Sequence, residues 1–132
     1  MKTLLTLTAV IEALAGLALL VRPEAAIAMI FGSAPVTPAG LAIGRIAGAG
    51  LLSLGIACWQ ARHDSHSRTA PGLIGAMLFY NVAAAASLAY ARLGEGLSGV
   101  GLWPGAILHA TMAVWCAASF RLMTSSRPDA TR

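Results

Sequence analysis

Four long apolar runs constrain this 132-residue chain more than any other feature. They lie near residues 4–21, 39–60, 72–91 and 102–122. Each run is long enough to cross a hydrocarbon layer about 30 Å thick, because an α-helix rises about 1.5 Å per residue. In lipid, every backbone polar group needs a partner within the protein, so a spanning segment folds as a helix. The sequence therefore predicts an all-α, transmembrane four-helix bundle.

Composition supports a single membrane domain, residues 1–123, followed by a cytoplasmic polar tail, 124–132. The chain is 58% hydrophobic and only 11% charged, which leaves too little polar surface to cover a soluble domain. The first run also resembles a signal peptide, with Lys2 ahead of it and a cleavage-like Ala13-Leu14-Ala15. Glu12 interrupts that run, and the run is longer than a usual signal sequence, so we expect a retained span.

A short helix is predicted between spans 1 and 2. Pro23 ends the first helix and suits the first turn of the next one. The apolar stretch from Ala25 to Phe31, followed by Gly32, is too short to cross a membrane. We expect it to lie along the outer interface or to dip back into the mouth of the bundle, and we interpret it as an interfacial connector in preference to a functional lid.

Basic residues flank the spans unevenly. If all four segments cross, one side carries Lys2, Arg62, Arg68, Arg121, Arg127 and Arg132. The other side carries Arg22 and Arg92. The positive-inside rule therefore places both termini in the cytoplasm. Because these residues are scattered, the net charge of +4 does not indicate a nucleic-acid-binding stripe.

Polar side chains interrupt every apolar run. A charge at the bilayer centre costs roughly 2.5–3.5 kcal/mol, so these groups should face the bundle interior. Small residues on the same helical faces and comparable depths along the spans predict that they meet in the outer half of the bundle. The candidate ligand-binding or proton-relay residues are Glu12, Arg45, Tyr80, Asn81 and His109.

Two interpretations of this polar cluster stay open. In the favoured one, Glu12 and Arg45 form an interior ion pair that fixes helix register, and His109 is only hydrogen-bonded. In the other, the cluster binds a ligand, a lipid or a proton. Glu12 without a cationic partner could then carry protons, and His109 could relay them.

Enzymatic and cofactor chemistry have little support. No nucleophile, base and orienting group are recognisable, and a haem held by two histidines needs a second histidine at the depth of His109. His63 and His66 lie in a polar loop and are interpreted as solvated, not as metal ligands. Cys58 and Cys116 fall in the halves of their helices predicted to be cytoplasmic, where free thiols are expected. We expect no catalytic residue, cofactor or metal.

Glycine recurs at regular spacing in the second span. Gly40, Gly44 and Gly48 form overlapping small-xxx-small steps, which let another helix approach closely in lipid. That helix belongs to this chain, to a second copy in a homo-oligomer or to a larger membrane-protein partner. The sequence does not choose among them.

Three segments carry a family resemblance: GRIAGAGLLSLGIACW from Gly44, GAMLFYN from Gly75 and LWPGAILH from Leu102. With the four-span plan, they make the chain resemble the small bacterial membrane proteins of the DoxX-like families. That resemblance implies a four-helix protein of the bacterial inner (plasma) membrane, often an accessory to another system. The expected function is a non-enzymatic accessory or a small-ligand- or lipid-binding protein.

The chain also resembles the small multidrug transporters. These have four helices and a first-helix glutamate that exchanges protons for cationic drugs. Glu12 occupies the corresponding place, and a proton-coupled transporter of lipophilic cations is therefore the alternative function. The chain differs from those transporters in its greater length, in Arg45, which is available to neutralise Glu12, and in having few aromatic residues beside Glu12.

Overall fold

The computed structural model describes residues 1–32, 36–63 and 69–125. Its helices are α1 (Lys2–Val21), α2 (Pro23–Phe31), α3 (Pro38–Ala61), α4 (Thr69–Leu93) and α5 (Leu102–Ser125). The four longer helices are long and apolar enough to cross a membrane, and the chain is a multi-pass membrane protein. The predicted all-α four-helix bundle, with a short helix between spans 1 and 2, is confirmed. His66, Arg68 and residues 126–132 lie outside the described residues.

Local chemistry sets the ends of α1, α2 and α3. Pro23 occupies the first turn of α2, where its missing N–H costs no helical hydrogen bond. Gly32 ends α2 with φ 93°, a left-handed conformation that favours glycine. The Thr37 hydroxyl then caps α3 by accepting a hydrogen bond from the Gly40 N–H at 3.1 Å.

The long helices form two antiparallel pairs, α1 with α3 and α4 with α5. Glycines bring the backbones of the first pair together. A Cβ atom added at Gly48 would lie 2.7 Å from the Gly16 carbonyl oxygen, and one at Gly55 would lie 3.0 Å from the Ala9 carbonyl oxygen. Such a contact tolerates no side chain, because backbone atoms cannot rotate out of the way.

The three glycines of the predicted small-xxx-small steps in α3 have different neighbours. Gly48 packs against the backbone of α1, whereas a Cβ added at Gly44 would lie 3.2 Å from the Ile27 side chain of α2. Around Gly40, the nearest atoms belong to Val36 and Thr37, just ahead of the same helix. The close contact at Gly48 lies within one chain. An oligomer or larger partner at these glycines stays a prediction.

Closely packed apolar side chains fill the half of the bundle near the α1 N-terminus, called here the filled half. They come from all four long helices and are almost completely buried. The central ones are Leu4, Leu5, Ala9, Cys58, Ile74, Met77, Met112 and Cys116. Cys58 and Cys116 are free thiols, as predicted.

The opposite half, called here the α2 half, is covered by α2. The loop between α4 and α5 fixes the end of that helix, since the Gly101 N–H donates to the Met29 carbonyl at 2.9 Å. Gly99 packs directly on the Ile30 carbonyl and leaves no room for a Cβ. The short helix thereby connects one helix pair to the loop of the other. It does more than join two spans.

Candidate ligand-binding cavity

A cavity of about 460 Å³ occupies the α2 half, between the two helix pairs. All five helices contribute to its wall. The lining residues are Ile11, Glu12, Ala15, Ala18 and Leu19 of α1; Ala26, Ile27, Met29, Ile30 and Phe31 of α2; Gly40, Ile43, Gly44, Ala47 and Leu51 of α3; Tyr80, Ala84 and Leu88 of α4; and Leu108 and His109 of α5.

Small side chains create this space. Where the filled half has leucine and methionine, the wall of the cavity has Ala15, Ala18, Gly44, Ala47 and Ala84. The space is partly open to the outside of the bundle, because Ala15, Ala18 and Ala47 of its wall are exposed. The lining is mostly apolar, which favours an occupant that is itself mostly apolar.

Polar groups lie at the end of the cavity farthest from α2. Glu12 and Tyr80 are within hydrogen-bonding reach of each other, and the ring of His109 packs edge-on against that of Tyr80 with centroids 5.5 Å apart. Helical spacing puts Thr8, Glu12 and Gly16 on one buried face of α1, which places the carboxyl inside the bundle. Only 3% of Glu12 is exposed.

Asn81 orients His109. The Asn81 Nδ2 atom donates to the Met77 carbonyl at 2.8 Å, so its Oδ1 atom is the one that faces the imidazole. The His109 Nδ1 atom lies 2.8 Å from that oxygen and must carry the hydrogen, since an amide oxygen only accepts. In a neutral ring, the Nε2 atom is then left as a hydrogen-bond acceptor.

Arg45 does not join this cluster, and the predicted Glu12–Arg45 ion pair is wrong. The arginine is exposed and makes no ion pair with any described acidic residue. It shares the exposed face of α3 with Ala42 and Ile46, whereas Gly44 and Gly48 face the bundle. The alanines beside Arg45 suggest an interior contact in the sequence, but in the structure they belong to the outward face.

Depth explains the rest of the error. The sequence places Arg45 within its own span, yet the first turns of α3 extend beyond the level at which α1 ends. Gly44 lies against Pro23, the residue that follows the end of α1 by two positions. Arg45 is therefore level with the end of α1, and Glu12 lies about two and a half turns deeper.

The candidate site residues predicted from the sequence include none from α2. Ile27, Ile30 and Phe31 cover the cavity, although the sequence favours a connector for their stretch. Their apolar character is visible in the sequence, but only the contact of Gly99 and Gly101 with Met29 and Ile30 shows that the helix folds over the bundle end. In the sequence, Gly99 and Gly101 are far from α2, and nothing about them indicates this contact.

No family model, curated protein or solved structure matches this chain. Within the described residues, no three His, Cys, Asp or Glu side chains group in a way that could hold a metal ion. The DoxX-like resemblance stays a prediction, and functional inference depends on the geometry of the cavity.

Proposed function

We propose that this protein binds a small, mostly apolar molecule inside the membrane, in the cavity of the α2 half. The observation that carries the proposal is the cavity itself, an apolar space with the polar groups of Glu12, Tyr80 and His109 at one end. Its volume of about 460 Å³ lies within the range of roughly 300–1,000 Å³ that is typical of ligand pockets.

The chemistry of the wall selects the ligand class. A wall of aliphatic side chains, glycines and alanines suits a ligand with a hydrocarbon or aromatic body. The carboxyl of Glu12 and the hydroxyl of Tyr80 can each hydrogen bond to one polar substituent, and so can the imidazole of His109. The best-fitting ligand therefore has an apolar body and a single hydroxyl, amine or carbonyl at one end.

Photolabelling tests this proposal. A short-chain alcohol that carries an alkyl diazirine is added to the detergent-purified protein, and labelled residues are mapped by mass spectrometry. We expect labels at Glu12 and Tyr80. The variant Ala84→Phe places an aromatic ring in the cavity and should reduce this labelling several-fold.

The matched control is Ala83→Phe, because Ala83 is exposed and is not in the cavity wall. Its labelling at Glu12 should equal that of the wild type. Equal labelling of Glu12 in both phenylalanine variants, with both folded by thermal unfolding, would contradict the proposal.

The cellular setting is part of the proposal. The DoxX-like resemblance supports a bacterial inner membrane and an accessory role, and the uneven basic residues support cytoplasmic termini. A reporter enzyme that works only in the cytoplasm should then be active when it is fused after Arg132. Activity of a periplasmic reporter at the same position would reverse the orientation.

Proton-coupled transport of lipophilic cations is the second candidate. One observation favours it: Glu12 is buried without a cationic partner among the described residues, which leaves its carboxyl available to a proton or to a cation. Binding of tetraphenylphosphonium should then depend on pH in the wild type and lose that dependence in Glu12→Gln. Absence of tetraphenylphosphonium binding at every pH would leave ligand binding without transport as the better account.

A further inference from the structure

A second pocket lies outside the bundle, where α1, α2 and α3 meet. It has a volume of about 210 Å³. The residues that line it are Val21, Arg22, Pro23, Glu24, Ala25 and Arg45. None of the proposed chemistry of the cavity involves this pocket.

Hydrogen-bond donors dominate the pocket. Arg22 and Arg45 are both exposed, and neither makes an ion pair with a described acidic residue, Glu24 included. The first turn of α2 adds backbone donors. No side chain caps it, and the N–H groups of Glu24 and Ala25 precede the first helical hydrogen bond, which Ala26 makes.

The depth of the pocket matches the lipid headgroups. The 20 residues of α1 rise about 30 Å, the thickness of a hydrocarbon core, between Lys2 and Val21. Arg22 therefore lies at the membrane surface, and Arg45 lines the same pocket at that level. An arginine on the outward face of a spanning helix avoids the hydrocarbon by extending to this surface.

We propose that this pocket binds the phosphodiester group of an anionic phospholipid. A guanidinium group matches the geometry of phosphate oxygens, and two arginines line this pocket together with the uncapped first turn of α2. One acidic residue against two arginines leaves a net positive pocket, so a lipid with net negative charge is preferred over a zwitterionic one. This lipid site is independent of the cavity proposed above.

Native mass spectrometry of the detergent-solubilised protein tests the proposal. Phosphatidylglycerol and phosphatidylcholine are titrated separately, and the bound fraction is measured for each. The wild type should retain phosphatidylglycerol preferentially. Arg45→Gln and Arg22→Gln should each weaken that binding about fivefold, since an arginine near the surface is worth about 1 kcal/mol.

Arg92→Gln is the matched control. Arg92 is an exposed arginine at the end of α4, and it does not line this pocket. Its variant should bind phosphatidylglycerol like the wild type, and Ala84→Phe should do the same. Arg45→Lys should recover part of the binding that Arg45→Gln loses, because lysine keeps the charge without the planar donor geometry.

Equal loss in Arg92→Gln and Arg45→Gln would overturn the site, since it would show a response to net charge alone. Unchanged lipid binding in both Arg22→Gln and Arg45→Gln would also overturn it. A third arm adds inorganic phosphate. If phosphate competes with phosphatidylglycerol at equal concentration, the pocket is a site for a soluble anion, and the lipid assignment is wrong.

Discussion

The two halves of this bundle are built from the same long helices but packed in opposite ways. In the filled half, leucine, isoleucine, methionine and cysteine side chains meet at the centre with almost no exposed surface. In the α2 half, alanines and glycines alternate with larger aliphatic side chains on the same helices and leave a cavity of about 460 Å³. A short helix, and not a side-chain core, covers this half.

The difference shows that small residues have two separate effects in one membrane bundle. Where two backbones meet, as at Gly16 and Gly48, small residues close the gap and bring α1 against α3. Where helices stay apart, as at Ala47 and Ala84, the same lack of bulk opens a space. Composition alone does not separate these effects, because each depends on the distance between the helix axes.

The largest effect is expected at the α1–α3 contact. Gly48→Leu places a side chain where even a Cβ would lie 2.7 Å from the Gly16 carbonyl oxygen. The loss of stability should exceed the range of about 1–3 kcal/mol that is typical of an overpacked core, because a backbone cannot move aside. Thermal unfolding in detergent measures it. The control is Gly50→Leu, since nothing lies within 4 Å of a Cβ there. Equal melting temperatures for the two variants would contradict the close backbone contact at Gly48.

The next effect compares side-chain truncation in the two halves. Ile74 is completely buried in the filled half, and Ile74→Ala should destabilise the protein by about 2–5 kcal/mol. Leu51 is only half-buried on the wall of the cavity, so Leu51→Ala should cost clearly less. Chemical or thermal unfolding of both variants decides the matter. A larger loss at Leu51 would mean that the α2 half is the better packed of the two.

A smaller effect concerns the hydrogen bond that orients His109. Asn81→Ala removes the acceptor from His109 Nδ1 and should cost about 1–3 kcal/mol, the usual penalty for an unpaired buried polar group. Nitrogen NMR of labelled histidine should show the Nδ1–H tautomer in the wild type and a mixture in the variant. Ser87→Ala, at an exposed position of the same helix, should change neither quantity. An Nε2–H ring in the wild type would contradict this orientation of the imidazole.

The fold could be predicted because membrane spans depend on length and hydropathy, which are local properties of the sequence. Three of the five candidate site residues could also be placed near one another, since Glu12, Tyr80 and His109 lie at compatible depths on inward faces. Their role in ligand binding stays a prediction. Asn81 could be found for the same reason, although its position as the orienting partner of His109 requires the actual helix contact.

The depth of Arg45 and the packing of α2 over the bundle end could not be predicted, for one shared reason. Both depend on the vertical offset between α1 and α3, and this offset is set by the glycine contacts between them. From the sequence alone, which does not show this offset, the depth of Arg45 can only be counted from the middle of its own span. That count places the residue too deep in the membrane. The same offset leaves room for α2 to fold over the bundle end beside the first turns of α3.

The central claim is that Glu12 belongs to the cavity with Tyr80 and is not paired with Arg45. Two double-mutant cycles test it in the same protein, Glu12→Gln with Tyr80→Phe and Glu12→Gln with Arg45→Met, each measured as the free energy of unfolding. We expect a coupling of about 0.5–3 kcal/mol for Glu12 with Tyr80, and additivity within about 0.5 kcal/mol for Glu12 with Arg45. Coupling to Arg45 together with additivity for Tyr80 would contradict the claim and restore the interior ion pair.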